Sequence, residues 1–153
     1  PHSQFRQLNK NKRGNYLIPL ISTSEVREIS PSGKLINSFK VEGTPFTTLE
    51  STDGNYWIAC GDGHTLIEVN PNDGQIIRRY NENDIKGVRL FFTAGLCKSA
   101  DGNLYICNWQ GHSHDANAAN SPQLFEINQK GEVIWSLNDN QTSGMISAVS
   151  TIN

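Results

Sequence analysis

The pentapeptide GNYWI at residues 54–58 is preceded by GNYLI at 14–18 and followed by GNLYI at 102–106, at offsets of 40 and 48 residues. Each copy leads into a second signature: VREISPSGKLINSF at 26–39, LIEVNPNDGQIIRRY at 66–80 and LFEINQKGEVIWSL at 124–137. Three copies in register make an internal repeat, and a repeat of this period sets the architecture before any single residue is weighed. Within each signature, β-prone runs flank a tight cluster, SPSG, NPNDG or NQKG, which supplies the restricted or positive φ angles of a hairpin turn. Ahead of each GN stands another short run, FRQLN, FTTLE or TAGLC, joined to it by KNKRG, STDG or KSADG. Four strands per repeat follow, A to D, which in the second copy are expected at 46–50, 55–60, 65–70 and 75–80. No helical period competes with this reading.

A four-stranded antiparallel repeat of about 40 residues matches a β-propeller blade, whose faces are covered only by neighbouring blades. The expected fold is therefore all-β, with blades at 1–43, 44–91 and 92–145 and a further strand beginning in 146–153, over 146–152. Propeller rings close with about four to eight blades. Three blades leave open faces, so the expected partners are the remaining blades of a parent chain or a second copy that completes a dimeric ring.

Thirteen basic against fifteen acidic residues leave a net charge of −2, which provides no whole-protein field to steer nucleic acid or anionic lipid. No apolar run approaches the roughly 18 residues that a membrane helix needs. The sequence begins at Pro1 with no basic-then-apolar signal segment, and the expectation is a processed or partial piece. Cys60, Cys97 and Cys107 cannot all pair within one chain and have neither zinc-ribbon nor CxxC spacing. Cys97 and Cys107 fall on neighbouring strands, where buried small thiols are expected.

The strings DGNYWI, DGNLYI, GKLINSF and GEVIWSL resemble the NHL and pyrroloquinoline-quinone-type propeller repeats. PHSQFRQ at the start, NWQGH at 108–112, PQLFEIN and GEVIWSL look more closely like propellers of secreted, surface-layer-like proteins of gut bacteria. The resemblance spans nearly the whole chain and implies a propeller fold and an extracytoplasmic location, whether periplasmic, cell-surface or secreted. It implies no activity, because propellers host enzymes and inert scaffolds alike.

In a meandering blade the B–C and D–A loops share one rim, and the A–B and C–D turns share the other. Copies one and two cross from B to C in about seven residues, PLISTSE and ACGDGHT, whereas copy three runs from 107 to 123. This insertion, CNWQGHSHDANAANSPQ, gathers Asn108, Trp109, His112, His114 and Asp115 on the rim where functional loops sit. His112, His114 and Asp115 carry donor types suited to a divalent ion such as zinc or calcium, and His64, in the matching loop of copy two, is a further candidate. Against this stands the ordinary reading of solvated loop histidines. His2, Gln4 and Arg6 begin the innermost strand of copy one, and the planar fork of Arg6 suits a carboxylate or phosphate, or else ties adjacent blades together. Trp109 suits stacking on a sugar or an aromatic ligand. Trp57 and Trp135 are expected in the core between blades, and Asp53 and Asp101 in structural DG turns on the opposite rim. No GxSxG elbow, phosphate-cradling loop or HExxH occurs. The expected function is a noncatalytic exported module that binds a glycan, protein or other polar ligand through Arg6, His64, Asn108, Trp109 and His112. The alternative is a lyase, lactonase or glycan-processing propeller with a metal-assisted site in 108–115.

Overall fold

Each blade is a meander in which short β-prone runs are joined mostly by tight turns, the insertion between the second and third strands of blade 3 being the long exception. The computed structural model describes residues 7–115 and 117–151, and they form three four-stranded antiparallel sheets, each with its strands in chain order. Blade 1 contains β1 (Asn9–Lys10), β2 (Tyr16–Leu20), β3 (Glu25–Ile29) and β4 (Leu35–Lys40). Blade 2 contains β5 (Thr47–Glu50), β6 (Tyr56–Ala59), β7 (Leu66–Val69) and β8 (Ile76–Tyr80). Blade 3 contains β9 (Phe92–Lys98), β10 (Leu104–Trp109), β11 (Leu124–Ile127) and β12 (Val133–Leu137). Gly54 shows why the turn before each second strand begins with GN: its φ of 88° is a conformation that side chains other than glycine's rarely tolerate.

The blades stack through alternating faces. Tyr56, Ile58, Ile67 and Val69 of blade 2 pack on Leu17, Val26 and Phe39 of blade 1. From the opposite face, Trp57, Ala59 and Leu66 pack on Leu104, Ile106 and Phe125 of blade 3. Trp57 is buried as expected and stacks on Tyr80, with ring centroids 6.2 Å apart and planes 11° from parallel. Trp135 departs from the expectation at 46% exposure, because it lies on the face of blade 3 that no further blade covers, with Tyr105 beside it.

One polar device recurs in every blade. The Asn of each GN donates to a glutamate in the third strand: Asn15 to Glu28 at 2.6 Å, Asn55 to Glu68 at 3.3 Å and Asn103 to Glu126 at 3.0 Å. All three glutamates are buried, and in each blade the pairing between third and fourth strands shifts register immediately after the glutamate. In blade 1 the device is complete. Glu28 accepts from Asn11, Asn15, both of its oxygens from Arg13, and from the Tyr56 hydroxyl of blade 2 at 3.0 Å. Burial pushes the Glu28 pKa up, but these donors outweigh it and hold the carboxyl below its ordinary value.

The expected strand at 146–152 is corrected: no strand forms over the described residues 146–151, because their backbone meets no ladder partner. The segment instead lies along β9. Ile146 and Val149 pack against the cluster of Phe46, Phe92, Ala94 and Cys107, and the Val149 carbonyl accepts from Gln7 Nε2 at 3.2 Å. Gly95 permits this approach, since a Cβ there would stand 2.7 Å from the Ala148 Cα. Cys60 and Cys107 are buried free thiols whose pKa burial raises, to about 11 and about 12, while Cys97 is only half-buried.

The Glu28 cluster makes Tyr56→Phe a direct probe of the seam between blades 1 and 2. Removing the hydroxyl takes one donor from a buried carboxylate without changing packing, and urea denaturation should show a loss of about 1–2 kcal/mol. An unchanged unfolding midpoint would mean that the hydroxyl does not hold the blades together.

Candidate functional site

The rim built from B–C and D–A connections carries a cavity of about 290 Å³ between blades 2 and 3. Three chain segments enclose it: the 60–65 turn with Asp62 and His64, the 81–91 connection with Glu82, Arg89 and Phe91, and the start of the 110–123 insertion. The first segment is fastened by Thr93, whose hydroxyl donates to the Thr65 carbonyl at 2.7 Å and accepts from the backbone N–H groups of Cys60 and Gly61. His64 has a positive φ of 50°, and its Nδ1 meets the Phe91 carbonyl. Because a carbonyl only accepts, that nitrogen carries the proton.

Asn108 secures the other two segments. It is fully buried; its side-chain oxygen accepts from the Phe91 N–H at 2.7 Å, and its amide donates to the carbonyls of Arg89 at 2.9 Å and Pro122 at 3.0 Å. Asn108, expected among the ligand contacts, has its side chain turned into the protein, where it ties Arg89, Phe91 and Pro122 together. The insertion is closed behind it by Gln110, which donates to the Ser121 carbonyl at 2.8 Å, and by Gln123, which donates to the Gly144 carbonyl.

The cavity wall is aromatic and its mouth is charged. Phe92 meets Trp109 and His112 edge-on, at centroid distances of 5.3 and 5.4 Å, and Trp109 meets His112 at 4.6 Å. Arg89 lies over the Phe91 ring, 4.8 Å from its centroid. Arg89 also donates to Glu82 at 2.6 Å and to Asp115, while His112 Nδ1 lies 2.8 Å from Asp62. The Asn117 backbone N–H and then the Arg89 guanidinium hold the Asp115 carboxyl below its ordinary pKa. Each carboxylate at the mouth thus faces a basic partner across it.

Of the expected ligand contacts, His64, Trp109 and His112 come together here, and Arg6 lies outside the described residues, as do His2 and Gln4. The expected metal set does not converge. Among the described residues no three His, Cys, Asp or Glu side chains are placed to share an ion, because Asp115 is turned to Arg89 and His112 to Asp62. The residues that sequence reasoning missed are Asp62, Glu82, Arg89 and Phe91. For Glu82, Arg89 and Phe91 the signal was the spacing of 48 rather than 40 residues, most of whose excess falls in the 81–91 connection, longer than its counterpart at 41–46; Asp62 carried none beyond its place two residues before His64.

Comparisons with known proteins extend these observations. Residues 1–132 match the family described as Mal s 1 allergenic protein-like. No curated protein matches the chain. Among solved structures, a protein of unknown function from Bacteroides caccae is 53% identical, with a TM-score of 0.81 over 98% of this chain and 55% of that one. A catalytically inactive virginiamycin B lyase from Staphylococcus aureus, with quinupristin, is 12% identical, with a TM-score of 0.67 over 99% of this chain and 46% of that one. BamB from Moraxella catarrhalis is 13% identical, with a TM-score of 0.53 over 86% of this chain and 35% of that one. At such identities the lyase and BamB share the β-propeller fold alone. The chain spans about half the length of the first structures it matches. Among the described residues no helix is long and apolar enough to cross a membrane.

Asn108 and His112 should separate by mutation. Asn108→Ala leaves the Phe91 N–H and two carbonyls without their partner and should cost about 2–3 kcal/mol in thermal or urea unfolding. His112→Ala removes one half of an exposed pair and should change stability by less than about 0.5 kcal/mol. Equal losses for the two would show that Asn108 does not anchor the rim.

Proposed function

The chain belongs to the Mal s 1 allergenic protein-like family, and from that premise we propose that it is the ligand-binding segment of a larger propeller, noncatalytic, with the 290 Å³ rim cavity as its site. The ligand class we assign is a neutral, hydroxyl-rich glycan. The observation that carries this is the internal pairing of the mouth: Arg89 with Glu82 and Asp115, and His112 with Asp62. An ionic ligand would have to break these pairs, whereas sugar hydroxyls can both accept from and donate to them. The aromatic wall suits the apolar face of a sugar ring. The cavity matches the lower end of the roughly 300–1,000 Å³ range of ligand pockets.

The metal-assisted lyase or lactonase reading takes second place, because His112, His114 and Asp115 do not form a donor set and likeness to the lyase at 12% identity speaks for fold only. The open face of blade 3, with Trp135 and Tyr105, is read as the seat of a further blade from a parent chain or a second copy. An extracytoplasmic setting is supported by the resemblance of the repeats to secreted propellers.

Calorimetric titration with methyl glycosides of glucose, galactose, mannose and N-acetylglucosamine tests the reading. At least one should bind saturably, and Trp109→Ala should weaken it by about two- to ten-fold, the range for losing an aromatic contact. Binding of phosphorylated sugars alone, or binding that requires added zinc or calcium, would contradict a neutral-glycan site and favour the enzyme reading.

A further inference from the structure

On the opposite rim, the seam between blades 2 and 3 holds a cavity of about 110 Å³ beside Glu68, and the matching place between blades 1 and 2 holds a wider one of about 550 Å³ beside Glu28 and Arg13. The repeat relates the two places. Each side chain that partners Glu28 has a counterpart around Glu68, and three of the four are replaced. Asn11 corresponds to Ser51, Arg13 to Asp53, and Tyr56 of the following blade to Leu104; only Asn15 is retained, as Asn55. Glu68 is consequently poor in donors: it is 5% exposed, with Asn55 at 3.3 Å and the Arg78 Nε at 3.7 Å.

Three observations point to room for a second cation beside Arg78. Ser51 Oγ, in a residue 7% exposed that lines the cavity, has no hydrogen-bond partner. The charged side chains lining the cavity are Glu68, Asp53 and Arg78, which leave one negative charge in excess. At the matching place in blade 1, Arg13 supplies a guanidinium whose Nη2 lies 2.8 and 2.9 Å from the two Glu28 oxygens. The structure therefore assigns this cavity as a guanidinium site: we propose that a guanidinium group from outside the chain enters between the A–B turns of blades 2 and 3 and binds Glu68 as Arg13 binds Glu28. Asp53 stands at the mouth to meet it, Ser51 Oγ is free to accept one N–H, and neutralisation of the excess charge drives entry. A planar fork meets a carboxylate with two parallel hydrogen bonds, which an ammonium of the same charge cannot reproduce.

The probe is methylguanidinium, with methylammonium as control at equal ionic strength, read by the indole N–H resonance of Trp57, whose ring lines the cavity. Methylguanidinium should shift that resonance saturably below about 100 mM and bind about ten-fold more tightly than methylammonium. Glu68→Gln should weaken it by about ten-fold or more. Asp53→Arg, on an exposed turn, should abolish it, because its own guanidinium then fills the place that Arg13 fills in blade 1; this variant keeps the test decisive if Glu68→Gln does not fold. The tripeptide acetyl-Gly-Arg-Gly-amide should displace methylguanidinium if the natural source is an arginine side chain, and fail to enter if it is a free small molecule. Absence of a saturable shift, an equal response to methylammonium, or an unchanged response in Asp53→Arg would overturn the assignment and leave the cavity to water.

Discussion

The burial of a charged carboxylate at the seam between blades is the constraint from which the rest of the structure is organised. Glu28 would be costly where it stands if any of its donors were missing, since an unpaired charge away from water is among the most destabilising features a fold can carry. Its partners come from the A–B turn of its own blade and from Tyr56 of the next. The same interaction therefore fixes the turn, the third strand and the angle at which the neighbouring blade docks. Apolar packing of Leu17, Val26, Ile58 and Ile67 supplies area, but area alone does not select one register between two flat sheets.

Departures from the repeat are where the protein acquires sites. Around Glu68 the donors are shortened or reversed in charge, and the carboxylate faces a polar cavity with only Asn55 and Arg78 beside it. On the other rim, added length in the 81–91 connection and in the 110–123 insertion raises walls around Phe92 and Trp109, and the buried amide of Asn108 keeps those walls in place. The Asn–Glu pair repeated in all three copies ties the second strand to the third, while the added lengths of chain line the rim cavity.

The fold was legible because hairpin turns and strand alternation are local. In blade 2 the expected strands coincide with the observed ones to within one residue at each end. The segment at 146–152 was not legible in the same way, because a β-prone run becomes a strand only if a ladder partner exists, and that is a property of the surroundings. Trp109, His64 and His112 were singled out from loop position, and the structure brings all three to one cavity, because the loops that carry them share a rim. The inward turn of Asn108 was not legible, because its neighbour Trp109 lines the cavity while its own side chain is buried. The Glu and Asn of the repeated clamp passed unnoticed although both stand at matching positions in all three copies, since a buried carboxylate reads as a surface residue until its donors are known.

The account rests on Glu28 being ionised inside the seam, and the pH titration of its side-chain carboxyl by carbon-detected NMR tests that most directly. The carboxyl should titrate below the ordinary glutamate value of 4.5. Its ionised form then stabilises the fold above that pH, and the contribution is lost as pH falls through the depressed value. A Glu28 carboxyl that titrates at or above 4.5 would mean that burial outweighs the donors, and the ionised clamp would not be what organises the seam.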